Sequence, residues 1–486
     1  MKTTVILLIC FLLNTAGVAQ IEDHINNFVN DSSFRNAGIS ICFREVNSGE
    51  VLAEHNKEMS LVSASVMKLV TTASALEILG PDFRFTTRIG YAGRLTNNNS
   101  VLEGAVIIKG GADPCLMSGY FPGHYDNTIE EWAEAIYNTG IKRVNGPVIA
   151  DAQIFDYHPA PGGWNWADLG NYYGAGTHGI CVFDNMYKIH FKTGKEGSKP
   201  EIFNIQPEIP GLLIENRLSS YGERDRGYVY LEPYGEHAII RGTIPPNRND
   251  FVLKASIPDP PLLSAILLQS KLEEMGIEFK ENATSLRLNS DLATQFKKAP
   301  KTVLHTTVSP TLQEIVTVTN NESVNLFAEQ LLKYLGYVSS GREQASTSAG
   351  LDTVSGFLEA ALPATSGLYM TDGSGMSRSN SISSSFITGL LVYMKNDSKY
   401  PGIFYNSLAE ASVSGTLKYY FKDPVFSGRL RAKSGTSTRV RNYAGYLNTR
   451  SGNEIAFSVL TNNFDCSSSE VTDKVEILLK KAANKL

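Results

Sequence analysis

The sequence predicts an α/β protein whose core is divided along the chain by a large β-rich insertion. Strand and helix patterns alternate near the start, and short strands punctuated by glycine, proline and aromatic loops fill residues 83–300. Helical periodicity returns at residue 311, and a chain of 486 residues is long enough for about two or three domains. We therefore expect a core built from residues 20–82 and 301–486, with residues 83–300 inserted as one or two β-rich domains.

The first part of the core begins with two strands and a helix. Residues 38–56 contain two β-rich runs separated by the turn residues Asn47-Ser48-Gly49. Apolar residues between Val66 and Ile78 then recur at helical spacing, and Gly80-Pro81 ends the pattern. This order indicates a hairpin followed by an amphipathic helix.

The second part of the core is helical first and β-structured later. Residues 311–336 and 381–397 have helical periodicity, and residues 430–438 and 442–463 alternate as strands do. Turn residues around 450–453 join the last two strands as a hairpin, and residues 470–486 form a final helix. That helix carries Lys480, Lys481 and Lys485, so peripheral membrane contact is possible, although packing on the core sheet is favoured.

The first nineteen residues have the pattern of a cleaved secretory signal. Lys2 precedes an apolar run from Val5 to Leu13, and small residues lie at the end, in Gly17-Val18-Ala19. The apolar run is shorter than the roughly 18 residues that a membrane anchor needs. We expect residues 1–19 to be a signal peptide and the mature chain to be exported.

Four cysteines remain after this leader, and the sequence leaves their pairing open. They are scattered along the chain, and a protein of this size does not need disulfides to fold, although export permits them. The four are Cys42, Cys115, Cys181 and Cys466.

Charge and spacing patterns exclude several classes of function. The net charge of −5 and the pI near 6.0 provide no basic footprint for nucleic acid. No His-x-x-x-His, Cys-x-x-Cys or His-Glu-x-x-His spacing occurs, so we expect neither a metal nor a cofactor. A Gly-x-Ser-x-Gly elbow is also missing from the sequence, which argues against an α/β-hydrolase.

The strongest local signal is Ser65-Val66-Met67-Lys68. Positions i and i+3 share one face of a helix, so the Lys68 amine can approach the Ser65 hydroxyl and take its proton. Ser65 would also lie in the first helical turn, where backbone N–H groups favour a developing oxyanion. Taken alone, this spacing is common on helices and carries little weight.

Two further motifs give that spacing its meaning. Ser323-Val324-Asn325 opens a predicted helix, where Ser323 could simply cap the helix. Lys433-Ser434-Gly435, followed by Thr436, leads into the predicted hairpin, where it could be a plain strand end. Their joint occurrence, in the order Ser-x-x-Lys, Ser-x-Asn and Lys-(Thr/Ser)-Gly, is typical of serine acyl-transfer enzymes that react with penicillin.

With these motifs the chain resembles the class C low-molecular-mass penicillin-binding proteins, which are D-alanyl-D-alanine carboxypeptidases and endopeptidases of the PBP4 type. Further similar stretches are VIIKGGADPCL, VNGPVIADAQIFD, MTDGSGMSRSNSIS and VSGTLKYYF, so the resemblance covers nearly the whole mature chain. It implies a penicillin-binding/β-lactamase-like transpeptidase core, with an antiparallel sheet flanked by helices.

The resemblance also implies a set of residue roles. Ser65 would attack the carbonyl of a D-alanyl bond, Lys68 would accept its proton, and the N–H groups of Ser65 and Thr436 would bind the oxyanion. Ser323 and Asn325 would relay the proton to the leaving amine and hold the peptide amide. The terminal carboxylate of the substrate would bind at the third motif, which consists of Lys433, Ser434, Gly435 and Thr436.

The expected partners are peptidoglycan stem peptides and β-lactam antibiotics, and the expected location is the periplasm. A β-lactamase or esterase with the same motifs is one alternative, and a non-catalytic wall-binding relative is another. The sequence leaves open the balance of carboxypeptidase and endopeptidase action, the third residue of the stem peptide, the role of the inserted region and the oligomeric state.

Two departures and two decoys complete the sequence picture. Ser434 stands where this family usually has threonine, and Arg439 and Arg441 follow the third motif with no assigned partner. A literal Lys192-Thr193-Gly194 precedes Ser323 instead of following it, so we interpret it as a surface turn of the insertion. Ser451-Gly452-Asn453 imitates the second motif but lies at the predicted hairpin tip.

Overall fold

The computed structural model describes residues 20–289, 291–292, 295 and 301–486, so the predicted signal peptide, residues 1–19, lies outside the described residues. The strands, in chain order, are β1 Gly38–Glu45, β2 Val51–His55, β3 Leu61–Val62, β4 Thr86–Thr96, β5 Val101–Lys109, β6 Arg143–Val144, β7 Val148–Asp151, β8 Met186–Lys192, β9 Glu201–Gln206, β10 Leu213–Ser220, β11 Arg226–Tyr230, β12 His237–Ile244, β13 Phe251–Ser256, β14 Glu278–Phe279, β15 Thr284–Ser285, β16 Lys301–Val308, β17 Leu368–Tyr369, β18 Ser381–Ile382, β19 Ala409–Glu410, β20 Leu430–Ser437, β21 Val440–Asn448 and β22 Glu454–Asn462.

The helices are α1 at 20–29, α2 Lys68–Leu79, α3 Thr128–Tyr137, α4 Trp166–Leu169, α5 Pro260–Glu274, α6 Leu312–Asn321, α7 Asn325–Ser340, α8 Thr347–Ala361, α9 Ser384–Asn396, α10 Pro401–Ser407 and α11 Ser468–Lys485. The helix predicted from residue 66 onward ends at Gly80 (φ 80°), as expected from its glycine and proline.

Contacts between residues divide the chain into two compact units. Among the described residues, unit 1 comprises residues 20–82, 312–324 and 351–486, and unit 2 comprises those within 83–311 and 325–350. Residues 301–311 and 325–350, which the sequence assigned to the second part of the core, therefore cluster with unit 2. The domain boundaries drawn from the sequence stay a prediction.

Unit 1 is built on an antiparallel sheet of six strands in the order β19-β20-β21-β22-β1-β2. The hairpins β1–β2 and β21–β22 are the two that the turn residues predict. Side chains alternate across the sheet, so Ile41 and Phe43 face one side while Ser40 and Cys42 face the other.

Helices cover both faces of this sheet. On one face, α1 and α11 pack against Ile41, Phe43 and Tyr443 in a common apolar core. On the other face lies α9, where Ser384 Oγ is 2.7 Å from Ser40 Oγ. The α/β fold class, with an antiparallel sheet between helices, is confirmed. The final helix α11 packs on the core sheet, with Leu478 and Leu479 in its interior.

Unit 2 contains three sheets. A seven-stranded sheet runs β14-β6-β5-β4-β16, with β7 beside β5 and β15 beside β7. Two three-stranded sheets have the orders β13-β8-β9 and β10-β12-β11. Helices α3 and α5 pack together, α5 against β7 and α3 against β16, so the unit is β-rich but not purely β.

The two decoy motifs both adjoin strand ends. Lys192 is the exposed last residue of β8, and Thr193 after it is buried, with its hydroxyl accepting a hydrogen bond from Arg248 N at 2.8 Å. The chain turns further on, at residues 196–197. Ser451-Gly452-Asn453 forms the turn between β21 and β22, with Gly452 at φ 95°. The hairpin-tip prediction for Ser451-Gly452-Asn453 therefore agrees with the structure, whereas Lys192-Thr193-Gly194 is the end of a strand and not the predicted surface turn.

Two general features of the described chain complete this picture. Of the helices in the described ranges, none has the length and apolar character needed to cross a bilayer. The thiols of Cys42, Cys115, Cys181 and Cys466 are all free, and the first three are buried.

Candidate active site

Ser65 lies in a tight turn at the start of a buried helix. It belongs to the 3₁₀ turn Ala64–Met67, and α2 begins at the next residue, Lys68. Ala64 has φ 43°, a left-handed conformation that costs energy for a residue with a side chain. Strain of this kind persists where the surrounding structure enforces one geometry, so Ser65 is held at a fixed place and angle.

The Lys68 side chain connects Ser65 to a neighbouring loop. Lys68 is completely buried, and its Nζ donates to Ser65 Oγ at 2.9 Å and to the Ser374 carbonyl at 2.8 Å. The i, i+3 approach expected from the spacing is therefore present, although the turn is 3₁₀ rather than α-helical. A nucleophile and a base within hydrogen-bond distance form the first requirement of covalent serine catalysis.

The loop at residues 372–380 is shaped by a buried carboxylate. Asp372 accepts from Gly375 N at 2.7 Å, Ser377 N at 2.6 Å and Asn380 Nδ2 at 2.7 Å. Gly375 has φ 82°, and a Cβ at this position would lie 1.8 Å from the Ala64 carbonyl oxygen. Asp372 thus has a structural role, since its hydrogen bonds hold the loop against the Ser65 turn.

The second motif meets the third through its serine. Ser323 has φ 61°, another left-handed residue, and the Lys433 ammonium donates to its Oγ at 2.8 Å. Asn325 is the first residue of α7 and belongs by its contacts to unit 2, where its Nδ2 donates to the Tyr173 carbonyl at 2.8 Å.

The third motif lies on β20, directly against the Ser65 turn. A Cβ on Gly435 would lie 3.2 Å from the backbone nitrogens of Ser65 and Val66, so only a residue without a side chain fits comfortably there. Because of this close contact, β20 passes Ser65 at van der Waals distance. The neighbouring strand β19 pairs with β20 only at Ala432 and Arg431, before the motif begins.

Polar side chains of the third motif point to both sides of the strand. Lys433 is fully buried, and its Nζ also bonds the Ser434 carbonyl at 2.9 Å. Ser434 is nearly buried and donates to Thr416 Oγ1 at 2.9 Å, while Thr436 is exposed.

Lys433 is electrostatically unusual. Burial, and then the positive charges of Lys68 and Arg441, hold the pKa of the Lys433 ammonium well below its ordinary value. Desolvation and like charge act in the same direction on an amine, since both disfavour the protonated form. A lysine with these surroundings is a recognised sign of a functional site.

Arg441 and Arg439 have different partners. Arg441 is mostly buried, donates to Thr436 Oγ1 through one guanidinium nitrogen, and to Thr472 Oγ1 at 3.0 Å through Nε. Arg439 instead pairs with Asp465 at 2.6 Å at the surface. Arg378, also exposed, donates to the Thr438 carbonyl at 3.3 Å.

Four residues at this site carried no role in the sequence interpretation: Ser374, Gly375, Thr416 and Arg441. The first two lie in MTDGSGMSRSNSIS and Thr416 lies in VSGTLKYYF, stretches that the family resemblance already singled out. Ser374, Gly375 and Thr416 contact Lys68, Ala64 and Ser434 from segments far away in the chain, so no spacing rule could connect these pairs.

A cluster of at least three histidine, cysteine or acidic side chains that could hold a metal ion was not found among the described residues. The groups that meet at Ser65 are lysines, hydroxyls and backbone amides. They suit acyl transfer through a serine, with charge stabilised by hydrogen bonds and ammonium groups.

Known proteins share this sequence pattern and fold. The model of the D-Ala-D-Ala carboxypeptidase 3 (S13) family matches residues 21–484. The D-alanyl-D-alanine carboxypeptidase DacB of Haemophilus influenzae is 22% identical over 444 residues, which cover 90% of this chain and 88% of that protein.

Solved structures show the same fold. The crystal structure of penicillin binding protein 4 from Haemophilus influenzae has a TM-score of 0.79 at 19% identity and covers 93% of this chain and 97% of that chain. A second structure of that protein, complexed with a β-lactam, has a TM-score of 0.72 at 19% identity, with coverages of 92% and 96%. Resemblance, fold class and enzyme class are confirmed: the chain belongs to the D-Ala-D-Ala carboxypeptidase 3 (S13) family.

Proposed function

We propose that this chain is a serine D-alanyl-D-alanine carboxypeptidase and endopeptidase that cleaves peptidoglycan stem peptides or cross-links through an acyl-enzyme on Ser65. The observation that carries the proposal is the 2.9 Å hydrogen bond between Lys68 Nζ and Ser65 Oγ. It lies in a turn where Ala64 has a left-handed backbone conformation. Membership of the family supports the reaction class.

Lys68 is the base in the first step. It takes the proton of Ser65 Oγ as that oxygen attacks the D-alanyl carbonyl, so it must reach Ser65 uncharged. The charge of Lys68 is one cause of the lowered pKa of Lys433, after burial, so the two amines repel each other when both are protonated.

Ser323 and Lys433 carry the proton onward to the leaving group. Ser323 Oγ already accepts a hydrogen bond from Lys433 Nζ, so its own proton can be directed to the departing amine and replaced from Lys433. Asn325 holds the peptide amide of the substrate. These roles follow the family motif position by position.

The third motif binds the terminal carboxylate. Lys433 supplies a positive charge, Ser434 and Thr436 supply hydroxyls, and Arg441 adds a second cation that donates to Thr436. These groups should bind a carboxylate strongly, since hydrogen bonds in which a partner is ionised are stronger than those between neutral groups.

The oxyanion is stabilised by the backbone N–H groups of Ser65 and Thr436. The close approach of Gly435 to the Ser65 nitrogen supports this pairing, because it brings the two chain segments side by side. Water then hydrolyses the acyl-enzyme. A β-lactam acylates the same serine and stops the cycle at that stage.

The site of action is the periplasm. The leader pattern of residues 1–19 supports export, and peptidoglycan is found outside the inner membrane. Peptidoglycan stem peptides and β-lactams are the proposed ligands, and the β-lactam complex of the Haemophilus protein supports the second.

The test is mass spectrometry of the protein after incubation with a penicillin, together with hydrolysis of a D-Ala-D-Ala peptide. We expect one stable penicilloyl adduct on Ser65 and release of D-alanine. An adduct on any other residue would contradict the mechanism. Rapid turnover of penicillin would indicate a β-lactamase or esterase, and no labelling with no hydrolysis would indicate a non-catalytic wall-binding protein.

A further inference from the structure

Helix α7, which begins at Asn325, has a polar side that is buried inside unit 2. At about 100° per residue, Lys333 and Gln330 lie about 80° and 140° around the helix from Asn325, so all three share one side. Gln330 has no exposed surface and Lys333 has only 1%. Burying a polar side chain costs free energy unless it is hydrogen-bonded, so the partners of Gln330 and Lys333 show which segment the helix binds.

Most of these partners lie in one stretch of chain, residues 156–178, which we name the 156–178 segment. One further partner lies just beyond it, because Gln330 Nε2 also donates to Cys181 Sγ at 2.9 Å. Lys333 Nζ lies 2.5 Å from an Asp156 carboxylate oxygen and donates to the His158 carbonyl at 3.0 Å and to Thr177 Oγ1 at 3.4 Å. Gln330 Nε2 donates to the His178 carbonyl at 2.9 Å. The buried ammonium therefore binds both ends of the segment at once.

The two ends of the segment also bind each other. Thr177 N donates to the Pro159 carbonyl at 2.9 Å, and a Cβ on Gly176 would lie 2.7 Å from Pro159 Cβ. Residues 160–176 thus form a loop closed at its neck, and Lys333 lies at that neck.

The far part of the loop is fixed against the strands of unit 2. Asn171 accepts from Val229 N at 3.1 Å and donates to the Val229 carbonyl at 3.4 Å. Tyr173, two residues on, donates through its hydroxyl to Asp168 at 2.9 Å. The backbone around Tyr173 is therefore held from several directions.

The carbonyl of Tyr173 is a hydrogen-bond partner of Asn325. It accepts from Asn325 Nδ2 at 2.8 Å. A carbonyl oxygen can only accept hydrogen bonds, so the Tyr173 carbonyl must face the NH₂ group of the Asn325 amide. The Oδ1 atom of Asn325 then points away from the 156–178 segment. The side-chain orientation of Asn325 is thus set by a backbone atom of the inserted region.

We propose that the 156–178 segment is a positioning element for Asn325: Lys333 and Gln330 lock the segment onto α7, and its Tyr173 carbonyl orients the Asn325 amide. This deepens the proposed function and rests on the role proposed there for Asn325. Lys333 and Gln330 are positioning residues, since they act through the segment and not on the substrate. The inserted region thereby contributes to substrate amide recognition.

A double-mutant cycle tests this coupling. Lys333→Met keeps the length of the side chain but removes the ammonium, and Asn325→Ala removes the amide it is meant to orient. We measure the rate constant for acylation of Ser65 by a fluorescent penicillin, and kcat and KM for a D-Ala-D-Ala peptide. Residues that act through one group show strongly non-additive effects.

We expect Lys333→Met alone to slow acylation about tenfold, mainly through kcat, because a small misplacement of an orienting group is costly. In the Asn325→Ala chain the same change should slow acylation less than about twofold. If the fold-loss in acylation rate of the double variant equalled the product of the two single losses, the proposal would be overturned, because Lys333 would then act independently of Asn325.

Lys109→Met is the matched control. Lys109 pairs with Asp151 at 2.9 Å and with Glu343 at 3.2 Å in the same unit, and none of these residues belongs to the 156–178 segment. We expect it to leave acylation unchanged. Should Lys333→Met fail to fold, Gln330→Leu removes the bonds to the His178 carbonyl and to Cys181 Sγ but keeps the ammonium, and it should show the same non-additivity with Asn325→Ala on a smaller scale.

A readout independent of activity separates this proposal from the proposed function. The side-chain amide protons of Asn325 can be followed by NMR, and their exchange with solvent should accelerate in Lys333→Met but not in Lys109→Met. Unchanged exchange would overturn the positioning role even in an active enzyme. Failure of the wild-type chain to be labelled at Ser65 would instead refute the proposed function and leave the exchange result interpretable.

Discussion

The Lys433 ammonium lies 2.8 Å from Ser323 Oγ, although the two residues are 110 positions apart in the chain. The bond joins the second motif to the third at the side of the Ser65 turn. Because Lys433 also bonds the Ser434 carbonyl, its position is determined by two elements, a loop and a strand. Its removal should therefore affect both carboxylate binding and proton transfer.

The first prediction compares the two lysines that begin a Lys-(Thr/Ser)-Gly sequence. Lys433→Met should slow acylation of Ser65 by penicillin by about 100-fold or more, because a preorganised charged donor is lost from the reacting centre. Lys192→Met should leave the rate unchanged, since Lys192 is an exposed residue at the end of β8. Stopped-flow labelling with a fluorescent penicillin measures both, and a comparable loss in the two variants would refute the assignment.

The second prediction concerns the pH dependence of stability. The pKa of Lys433 in the folded chain is held well below 10.5, its ordinary value, by burial first and by the charges of Lys68 and Arg441 next. Between the lowered pKa and 10.5 the unfolded chain binds more protons at this site than the folded chain. The free energy of unfolding therefore rises with pH across that window.

Lys433→Met has no such group and should lose this contribution. We expect the difference in unfolding free energy, wild type minus variant, to increase from about pH 8 to pH 10, by up to about 1.4 kcal/mol per pH unit. Urea denaturation at stepped pH measures it, and Lys192→Met serves as the control. A difference that stays constant or falls over this range would contradict the depressed pKa.

The third prediction tests the contact between the 372–380 loop and the Ser65 turn. Gly375→Ala places a Cβ 1.8 Å from the Ala64 carbonyl oxygen at a residue with φ 82°, so the turn must move. We expect acylation to fall by about 100-fold and stability by more than about 1 kcal/mol.

Gly428→Ala is a suitable comparison, because Gly428 has φ 66° and no atom within 4 Å of its Cβ position. It shares the backbone strain but lacks the collision. Thermal melting and labelling kinetics of both variants separate the two effects. If Gly428→Ala lost as much acylation as Gly375→Ala, strain alone would account for the result.

The fourth prediction addresses the serine that replaces the usual threonine in the third motif. Ser434 donates to Thr416 Oγ1 at 2.9 Å, and Ser434→Thr keeps this hydroxyl on a residue type that favours strands. We expect kcat/KM for a D-Ala-D-Ala peptide to change less than about threefold, since one neutral hydrogen bond is retained.

Ser434→Ala removes the hydroxyl and should lower kcat/KM by about five- to tenfold, in line with the loss of one hydrogen bond of about 1 kcal/mol. Steady-state kinetics with peptides that end in a free carboxylate or an amide identify the step. A similar loss with both peptides would argue against a carboxylate-binding role for this hydroxyl.

Local sequence patterns were sufficient to predict two hairpins and the first helix of the core, and to identify the three motifs. The hairpin β1–β2, the helix ending at Gly80 and the hairpin β21–β22 follow from turn residues and periodicity, which depend on neighbours in the chain. The Lys68 approach to Ser65 follows as well, because both residues belong to one turn of chain. Order along the chain separated Lys433-Ser434-Gly435 from the literal but misplaced Lys192-Thr193-Gly194.

Long-range partners were beyond those patterns. Nothing in the spacing connects Ser374 to Lys68, Thr416 to Ser434, or Tyr173 to Asn325, since each pair joins segments that are far apart in sequence. Residues 301–311 show the same limit, because their pairing with β4 places them in unit 2 rather than with the core motifs that follow.

The sequence by itself determined the type of chemistry, through three ordered motifs whose residues have few other common uses together. Only the tertiary structure decided which groups surround them: the buried charges that depress the pKa of Lys433, the loop that presses on Ala64, and the carbonyl that faces Asn325. The physical reason is that reactivity depends on desolvation and distance. Both are properties of packed segments and not of the residues that a motif names.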